Sequence, residues 1–359
     1  MKKIIIRILI ITIFSLTACL PGLTNTSGSI TITDALNREV IFERSPERIV
    51  IAGRQTPMLT HFFYLFETAD EKIAAIENRT QSTEQFIGLI DDQIESKYLL
   101  ERGATAEQIT PLNPDTVVLK TIMRESVGLQ LENLGIPVVY VEFESIDNIF
   151  RDVKILAALL NEQSRGEEII NKYREMKTEI DSMISENSHQ PNISVLILQS
   201  EKEDQLTTFS VPSANWLQTA MIESLGAYPI WKKAAQTGGW MDVNLEQIAF
   251  WDPDIIFLVN YQGKAPEILK DILNNEVWQQ LSAVKNDRTH PFIYDFISWD
   301  QPDPRWILAY SWMANKIYPD LVDSVHVQQD IDRFFIEFFR ITNNQFTMEM
   351  NSRLSEYLK

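Results

Sequence analysis

Cysteine is almost absent from this chain of 359 residues, in which Cys19 is the only one. No internal disulfide can form, so the fold must rest on packing. The four histidines are scattered along the chain and form no spaced ligand pair. Because nitrogen and sulfur ligands are so few, a site for a bare transition metal is not expected, and we predict neither a resident metal nor a cofactor.

Common catalytic motifs are missing as well. The chain has no G-x-S-x-G turn for a serine nucleophile, no G-x-x-x-x-G-K-[ST] phosphate loop and no G-x-G-x-x-G dinucleotide loop. We therefore predict that the protein is not an enzyme. The carboxylates of Asp300 and Asp303 keep one alternative open, because a carboxylate pair can carry out acid–base chemistry.

Positive charge is scarce. The 32 Lys and Arg residues face 50 Asp and Glu residues, which gives a formal net charge of −18. This balance argues against nucleic acid and against an anionic lipid surface as partners. With 45% apolar and 23% charged residues, the composition is that of a globular protein, and the length is sufficient for two domains.

The N-terminus forms a unit of its own. A basic start precedes an apolar run over residues 8–14, which is too short to span a bilayer as a helix. The run leads to Leu16-Thr-Ala-Cys19, which resembles a bacterial lipobox. We predict a signal peptide over residues 1–18 that is cleaved before Cys19, diacylation of the Cys19 thiol, and a flexible tether over residues 19–29.

A lipobox implies a lipid-anchored, extracytoplasmic protein, either in the periplasm or on the outer face of the cytoplasmic membrane. An uncleaved membrane anchor, or a chance cysteine in an ordinary signal peptide, is the alternative interpretation of the same residues.

Short β-rich runs alternate with helical stretches along the remaining chain. Residues 30–43 alternate apolar and polar side chains and predict a β-hairpin. The following runs are apolar and β-branched, and helix-period segments separate them, which indicates βαβ units. Two such sets occur. We predict two Rossmann-like α/β lobes with central parallel sheets, over residues 30–145 and 188–359.

Residues 146–187 separate the two sets and contain no proline, with Gly166 as their only glycine. Polar residues 161–165 indicate a joint between two helices. The second helix, over about residues 163–186, would be about 36 Å long at 1.5 Å per residue. We predict that it is a single long helix that bridges the lobes; a surface helix of one lobe is the alternative.

An internal repeat relates the two sets. Residues 107–119 and 246–258 share six of thirteen positions, including Glu-Gln-Ile at the start and Pro-Asp before an apolar run. Each copy is typical of a short helix, a turn and a buried strand. One copy in each lobe indicates two structurally similar lobes related by pseudo-symmetry.

A family resemblance adds to this pattern. Five segments carry it: residues 32–50, Leu134–Val139, Gly238–Ile248, Pro304–Ala309 and Trp312–Pro319. Together they resemble the substrate-binding proteins of ABC importers for iron-siderophores, haem and cobalamin. They occur in the order of that family, at about its spacing, and cover nearly the whole mature chain.

The resemblance implies a monomer whose two lobes face each other across a cleft and are joined by one stiff helix. Such a protein delivers its ligand to a permease dimer that is driven by a cytoplasmic ATPase. The resemblance also implies one docking glutamate per lobe, at Glu107 and Glu246, for arginines of the permease. A place in the first helical turn, favoured by the helix dipole, is the simpler reason for each glutamate. A sensor or receptor lipoprotein that serves no transporter is the alternative to an importer component.

Loops that follow predicted strands would line the cleft, because ligands of parallel sheets bind beyond the carboxyl ends of the strands. Arginine can bind an oxyanion bidentately and tryptophan can stack on a planar ligand. Arg305, beside Pro304, is instead interpreted as a structural ion-pair residue at a helix start. We predict ligand contacts at Arg54, Gln55, Arg79, Lys120, Arg124, Phe209, Trp240, Tyr261 and Trp299.

An anionic iron chelate of the siderophore type suits these cationic and aromatic loops best. Haem, a corrinoid and an oxyanion such as molybdate or tungstate stay open as ligands.

Overall fold

The computed structural model describes residues 29–78, 86–91, 93–185, 193–203, 206–236 and 238–358. The predicted signal peptide, Cys19, the tether up to residue 28, and Arg79 lie outside the described residues. Within the described part, two α/β lobes form around separate sheets, as predicted.

The first lobe begins with an antiparallel hairpin, which confirms the prediction for residues 30–43. Its main sheet has five parallel strands in the order β5-β4-β3-β6-β7. Every residue of β3 and β6 is buried, as expected for central strands of a sheet that is covered on both faces. The elements are β1 (Ile30–Thr33), β2 (Glu39–Phe42), β3 (Ile49–Ile51), α1 (Thr56–Phe63), α2 (Ala69–Lys72), β4 (Ile73–Glu77), β5 (Tyr98–Leu100), α3 (Ala106–Ile109), β6 (Thr116–Lys120), α4 (Leu129–Asn133) and β7 (Val138–Val141).

Two helices follow, α5 (Ile146–Leu160) and α6 (Gln163–Ser185). Asn161 ends α5 in the left-handed conformation (φ 62°), so the predicted joint is confirmed. Gly166 lets α6 approach α5 closely, because a Cβ at this position would lie 2.4 Å from the Cβ of Ala157. At its other end, α6 accepts a hydrogen bond at Asp181 from Tyr310 of the second lobe (2.6 Å). The helix therefore contacts both lobes.

The second lobe has a sheet in the order β11-β9-β8-β12-β13, with β10 also pairing with β8. The strands are β8 (Ser194–Glu203), β9 (Leu206–Val211), β10 (Tyr228–Pro229), β11 (Met241–Val243), β12 (Ile255–Val259) and β13 (Thr289–Pro291). Its helices are α7 (Leu217–Ser224), α8 (Leu245–Trp251), α9 (Ala265–Ile272), α10 (Ser282–Lys285), α11 (Trp306–Ile317), α12 (Ser324–Phe339) and α13 (Asn344–Leu354).

This second sheet is mixed, whereas the main sheet of the first lobe is entirely parallel. Strands β9 and β11 run antiparallel to their neighbours. Only two residues separate β8 from β9, and so short a connection can join only antiparallel strands, whereas a parallel pair needs a crossover of a dozen or more residues.

Aromatic side chains join the lobes behind the sheets. The ring of Phe86, from the first lobe, lies 4.8 Å from that of Phe339 and 6.0 Å from that of Phe346 (centroid distances), in the last two helices. Arg165 of α6 adds hydrogen bonds to the carbonyl oxygens of Leu65 (3.0 Å) and Phe338 (2.6 Å). The lobes thus share buried contacts beyond the bridging helix. Among the described residues, no helix combines the length and apolar character needed to cross a bilayer.

Candidate functional site

A cleft of about 480 Å³ lies between the two lobes. On the first-lobe side its lining follows the carboxyl ends of parallel strands, where ligands of such sheets bind. Glu101 and Arg102, for example, come directly after β5. The lining residues of the first lobe are Gln55, Pro57, Met58, Asn78, Glu101, Arg102 and Glu144, and those of the second lobe are Trp216, Gln218, Trp240, Tyr261, Gln301 and Pro302.

The second lobe contributes an aromatic wall. The ring of Trp240 lies between those of Trp216 and Tyr261, with centroid distances of 5.6 and 6.1 Å and interplanar angles of 76° and 68°. Edge-to-face contacts of this kind hold each ring in place. The wall offers apolar faces together with indole N–H groups, which suits an organic ligand with polar substituents.

The first lobe contributes polar and charged groups. Glu144 is neutralised by Lys120, whose Nζ lies 2.9 Å from a carboxylate oxygen of Glu144. Arg102 is exposed and forms no ion pair with any described residue, so its guanidinium is available to an anionic ligand. Gln55 has a buried amide oxygen without a hydrogen-bond partner in the described chain.

A tight turn positions Gln55 at the cleft. Gly53 and Gln55 both adopt left-handed backbone conformations (φ 86° and 61°) between β3 and α1. At Gly53 a Cβ would also lie 2.7 Å from the Cγ of Met123, so the position needs glycine for two reasons. The turn lets the chain pass from a buried strand to the cleft within four residues.

Asp300 fixes part of the cleft lining through hydrogen bonds. Its fully buried carboxylate accepts hydrogen bonds from the Tyr261 hydroxyl (3.1 Å), the Gln218 amide (3.0 Å) and the Ser298 hydroxyl (2.5 Å). Burial raises the pKa of Asp300 to about 6, although these hydrogen bonds oppose the rise. One carboxylate therefore orients two residues of the cleft lining.

Asp303, three residues further, belongs to a different network. It contacts His61 of the first lobe and the guanidinium of Arg305, and both Asp303 and Arg305 are completely buried. Burial would raise the pKa of Asp303, but the positive charge of Arg305 and the contact with His61 outweigh it and lower this pKa to about 2. Arg305 also pairs with Asp295 at 2.7 Å, which confirms that it is a structural ion-pair residue.

This geometry does not support the alternative that Asp300 and Asp303 form a catalytic carboxylate pair. The carboxylates of Asp300 and Asp303 are buried, and each is engaged by separate partners. Neither lines the cleft surface.

Three of the predicted ligand residues, Gln55, Trp240 and Tyr261, are brought together in the cleft. Arg54 is exposed beside Gln55 but is not among the lining residues. Lys120 is buried behind Glu144, where its charge serves the ion pair.

The other predicted residues lie elsewhere. Trp299 is fully buried in the second lobe, and the ring of Phe209 packs 5.3 Å from that of Trp278. Arg124 is half-buried and pairs with its neighbour Glu125 at 3.0 Å. These three side chains contact other residues of the protein and do not line the cleft.

Sequence reasoning missed several lining residues. Glu101 and Arg102 follow β5, a strand of only three residues without a β-branched side chain, so it lacks the β-branched run that marked other strands. Trp216 and Gln218 lie at the start of α7, not after a strand, so the expectation that loops after strands line the cleft did not include them. Glu144 could have been found, since it lies three residues after β7, whose sequence Val-Val-Tyr-Val is apolar and β-branched.

Both repeat copies form the predicted helix, turn and strand. Glu107 and Glu246 are the second residues of α3 and α8, and both are exposed. Each helical segment is followed by a left-handed residue, Asn113 (φ 47°) or Asp252 (φ 41°). Neither glutamate forms an ion pair within the described chain, so both carboxylates are available to a partner.

The aspartate before each strand reinforces this pseudo-symmetry. Asp115 accepts hydrogen bonds from the backbone N–H groups of Glu47 (2.8 Å) and Arg48 (3.0 Å), just before β3. Asp254 does the same with the N–H group of Ser194 (2.8 Å), the first residue of β8. The two copies therefore fix equivalent strand pairs in the two sheets.

One cluster of candidate metal ligands occurs in the described residues. Atoms of Glu179, His326 and Asp330 lie within 4.8 Å of one another. Arg333, however, lies 2.6 Å from a carboxylate oxygen of Glu179 and 2.8 Å from one of Asp330. The guanidinium already compensates these charges, and we interpret the cluster as an ion-pair network between α6 and α12.

Comparisons with known proteins agree with this architecture. The family model for periplasmic binding proteins matches residues 95–290, more than half of the chain. The chain is also similar to a solved structure of a periplasmic solute-binding protein from Veillonella parvula. The TM-score is 0.73 at 23% identity, with 92% of this chain and 98% of the other covered.

Three curated relatives are similar in sequence. The molybdate-binding protein MolA of Haemophilus influenzae is 20% identical over 346 residues, covering 86% of this chain and 90% of MolA. The uncharacterized ABC transporter substrate-binding lipoprotein YvrC of Bacillus subtilis is 24% identical over 297 residues, covering 81% and 86%. The Fe(3+)-citrate-binding protein YfmC of Bacillus subtilis is 21% identical over 185 residues, covering 51% and 55%.

The fold and the inter-lobe cleft define a two-lobe extracytoplasmic binding protein rather than an enzyme. The chain belongs to the periplasmic binding protein family. As a substrate-binding protein of the ABC-importer type, it has a solute ligand and a permease partner.

Proposed function

We propose that this protein captures an iron chelate of the siderophore type in the inter-lobe cleft and delivers it to an ABC permease dimer with a cytoplasmic ATPase. The observation that carries the proposal is the combination of cleft size and lining. A volume of about 480 Å³ lies in the range of sites for organic ligands, roughly 300–1,000 Å³.

The two walls support a chelate in different ways. Trp216, Trp240 and Tyr261 offer apolar faces for the organic part of the ligand. Arg102, which has no ion-pair partner among the described residues, offers a bidentate contact for a carboxylate or catecholate oxygen. A tetrahedral oxyanion is far smaller than this cleft and gains little from aromatic faces.

Molybdate is the second candidate. It is favoured by the similarity to MolA, which extends over 86% of the chain, whereas the similarity to the Fe(3+)-citrate-binding protein extends over 51%. At about 20% identity the lining of the cleft decides more than the overall similarity does. Haem and corrinoids share the aromatic requirement and belong in the same test.

Docking to the permease is proposed for Glu107 and Glu246. Their exposure, their equivalent positions in the two lobes and the absence of ion pairs with described residues support this role. Two carboxylates related by pseudo-symmetry match the two-fold symmetry of a permease dimer. Attachment through a diacylated Cys19 is likewise proposed, supported by the lipobox resemblance and by the lipoprotein relative YvrC.

A thermal-shift screen of the chain from Ser27 onward tests the ligand. The panel contains ferric siderophores, ferric citrate, haemin, cobalamin, molybdate, tungstate and free Fe³⁺. A ligand at a hundred times its dissociation constant stabilises the folded state by about 2.7 kcal/mol, which shifts the melting temperature by several degrees. We expect the shift with ferric chelates. A shift with molybdate and tungstate alone would replace the chelate proposal with the oxyanion, and no shift at all would favour a sensor or receptor.

A further inference from the structure

Phe250 is the most exposed of the large apolar side chains in the described residues, with 83% of its surface accessible. It lies in α8, four residues after Glu246, and residues at this spacing are neighbours on one helix face. It packs against no aromatic ring of the described chain. Because the Phe250 side chain is so exposed, it contributes little apolar burial to the fold.

A single exposed apolar side chain is ordinary on a protein surface. Here, however, the first repeat copy has an exposed apolar residue at the equivalent position, Pro111, four residues after Glu107. The combination of an exposed carboxylate and an exposed apolar residue one turn later thus occurs once in each lobe. We name the pairs Glu107 with Pro111 and Glu246 with Phe250 the two docking patches.

Both docking patches follow cleft-lining residues closely along the chain. Arg102 and Trp240 line the cleft, and the docking glutamates follow them by five and six residues. An extended chain of that length reaches at most about 20 Å. A partner seated on both patches would therefore be close to residues that line the cleft.

We infer that Phe250 is an apolar anchor for the permease and that it makes the second-lobe docking patch the stronger of the two. The inference rests on the proposed docking through Glu107 and Glu246 and names an additional contact. Interfaces are enriched in aromatic residues at their centres, whereas a lone carboxylate mainly steers the encounter. Phe250 offers a large apolar surface and Pro111 a small one, so the two pseudo-symmetric patches are unequal.

Photo-crosslinking in membranes of the producing bacterium tests the inference without a ligand. A benzoylphenylalanine is placed at position 250, 111 or 348 of the full-length lipoprotein, and adducts are identified by mass spectrometry. Met348 is the matched control, because it is 73% exposed and lies in α13, outside both repeat copies. We expect permease adducts from positions 250 and 111 and none from 348.

A second measurement quantifies the anchor. With the crosslinker at position 111, the substitution Phe250→Ser should lower the yield of the permease adduct about tenfold, as expected for loss of an aromatic hot spot. Met348→Ser should leave the yield unchanged. Circular dichroism checks that both variants are folded.

The pattern of adducts distinguishes failure of the Phe250 anchor from failure of docking through the glutamates. Permease adducts from position 111 but not from 250, together with an unchanged yield in Phe250→Ser, would overturn the anchor and leave docking through the glutamates intact. If neither position 111 nor position 250 gives a permease adduct, both the anchor and the proposed docking face are overturned.

Discussion

The guanidinium of Arg305 lies 2.8 Å from a carboxylate oxygen of Asp303, and neither side chain exposes any surface. His61 of the first lobe contacts the same aspartate, and the guanidinium carbon of Arg305 lies 4.0 Å from the ring centroid of Phe86, also in the first lobe. A buried charge network therefore connects the two lobes.

Loss of one partner in this network should be costly. We expect Arg305→Leu to lower the free energy of unfolding by about 3–5 kcal/mol, because it leaves buried carboxylates without compensation. The matched control is Arg124→Leu, since Arg124 is half-buried and its pair with Glu125 is exposed; it should change stability by less than about 1 kcal/mol. Urea denaturation measures the free energy of unfolding of both variants. A change in Arg305→Leu as small as that in Arg124→Leu would show that the network contributes little to stability.

Asp300 and Asp303 should make opposite contributions to the pH dependence of the free energy of unfolding. The pKa of Asp300 is raised to about 6, so its neutral form stabilises the fold below about pH 4, and this contribution is lost as pH rises through 6. The pKa of Asp303 is lowered to about 2, so its stabilising contribution is complete above about pH 4 and is lost as pH falls through 2.

The substitution Asp300→Asn tests the first half of this prediction. Asparagine keeps the acceptor for Tyr261 and Gln218 but cannot ionise. Relative to the parent protein, this variant should gain about 2 kcal/mol of stability between pH 4.5 and 7.5, because the parent loses that much as Asp300 ionises in the folded state. Asp303→Asn should show a cost that is constant over the same range, because Asp303 is ionised throughout. A stability difference for Asp300→Asn that does not change with pH would contradict the assignment.

The aromatic wall should control ligand affinity. We expect Trp240→Ala to weaken binding of the ligand found in the thermal-shift screen about tenfold or more, because it removes the central ring of the wall. Isothermal titration calorimetry measures the dissociation constant. Tyr98→Ala is the control, since Tyr98 is 57% exposed and does not line the cleft. Unchanged affinity in Trp240→Ala would place the ligand elsewhere.

The docking glutamates should affect transport but not ligand binding. We expect the double substitution Glu107→Ala and Glu246→Ala to reduce uptake of the ligand about tenfold or more while its dissociation constant stays the same. Glu125→Ala serves as the control, because the Glu125 side chain is 76% exposed and lies outside the repeat. Normal uptake by the double variant would contradict docking through the glutamates. Their place in the first helical turn would then be their only role.

Much of the fold follows from local patterns in the sequence. The repeat predicted the equivalent units α3–β6 and α8–β12, and the polar break near Asn161 predicted the joint between α5 and α6. The antiparallel β9 was not predicted, because apolar periodicity marks a strand without giving its direction.

The cleft was harder to predict, since it forms only when two lobes meet. A strand-end position suggested Trp299 and Lys120, but tertiary packing buries the first, and Glu144 engages the second. Trp216 enters the cleft from a helix start that carries no local signal for ligand binding. Local sequence shows which segments end at the cleft, while burial decides which side chains remain available there.

The most direct test of the central claim is a fluorescence titration of the chain from Ser27 onward with ferric siderophore and, separately, with molybdate. Two of its eight tryptophans, Trp216 and Trp240, line the cleft. A bound ferric chelate should quench their emission with saturation at one equivalent, and Trp240→Phe should diminish the quenching. Saturable binding of molybdate without any response to ferric chelates would contradict the account.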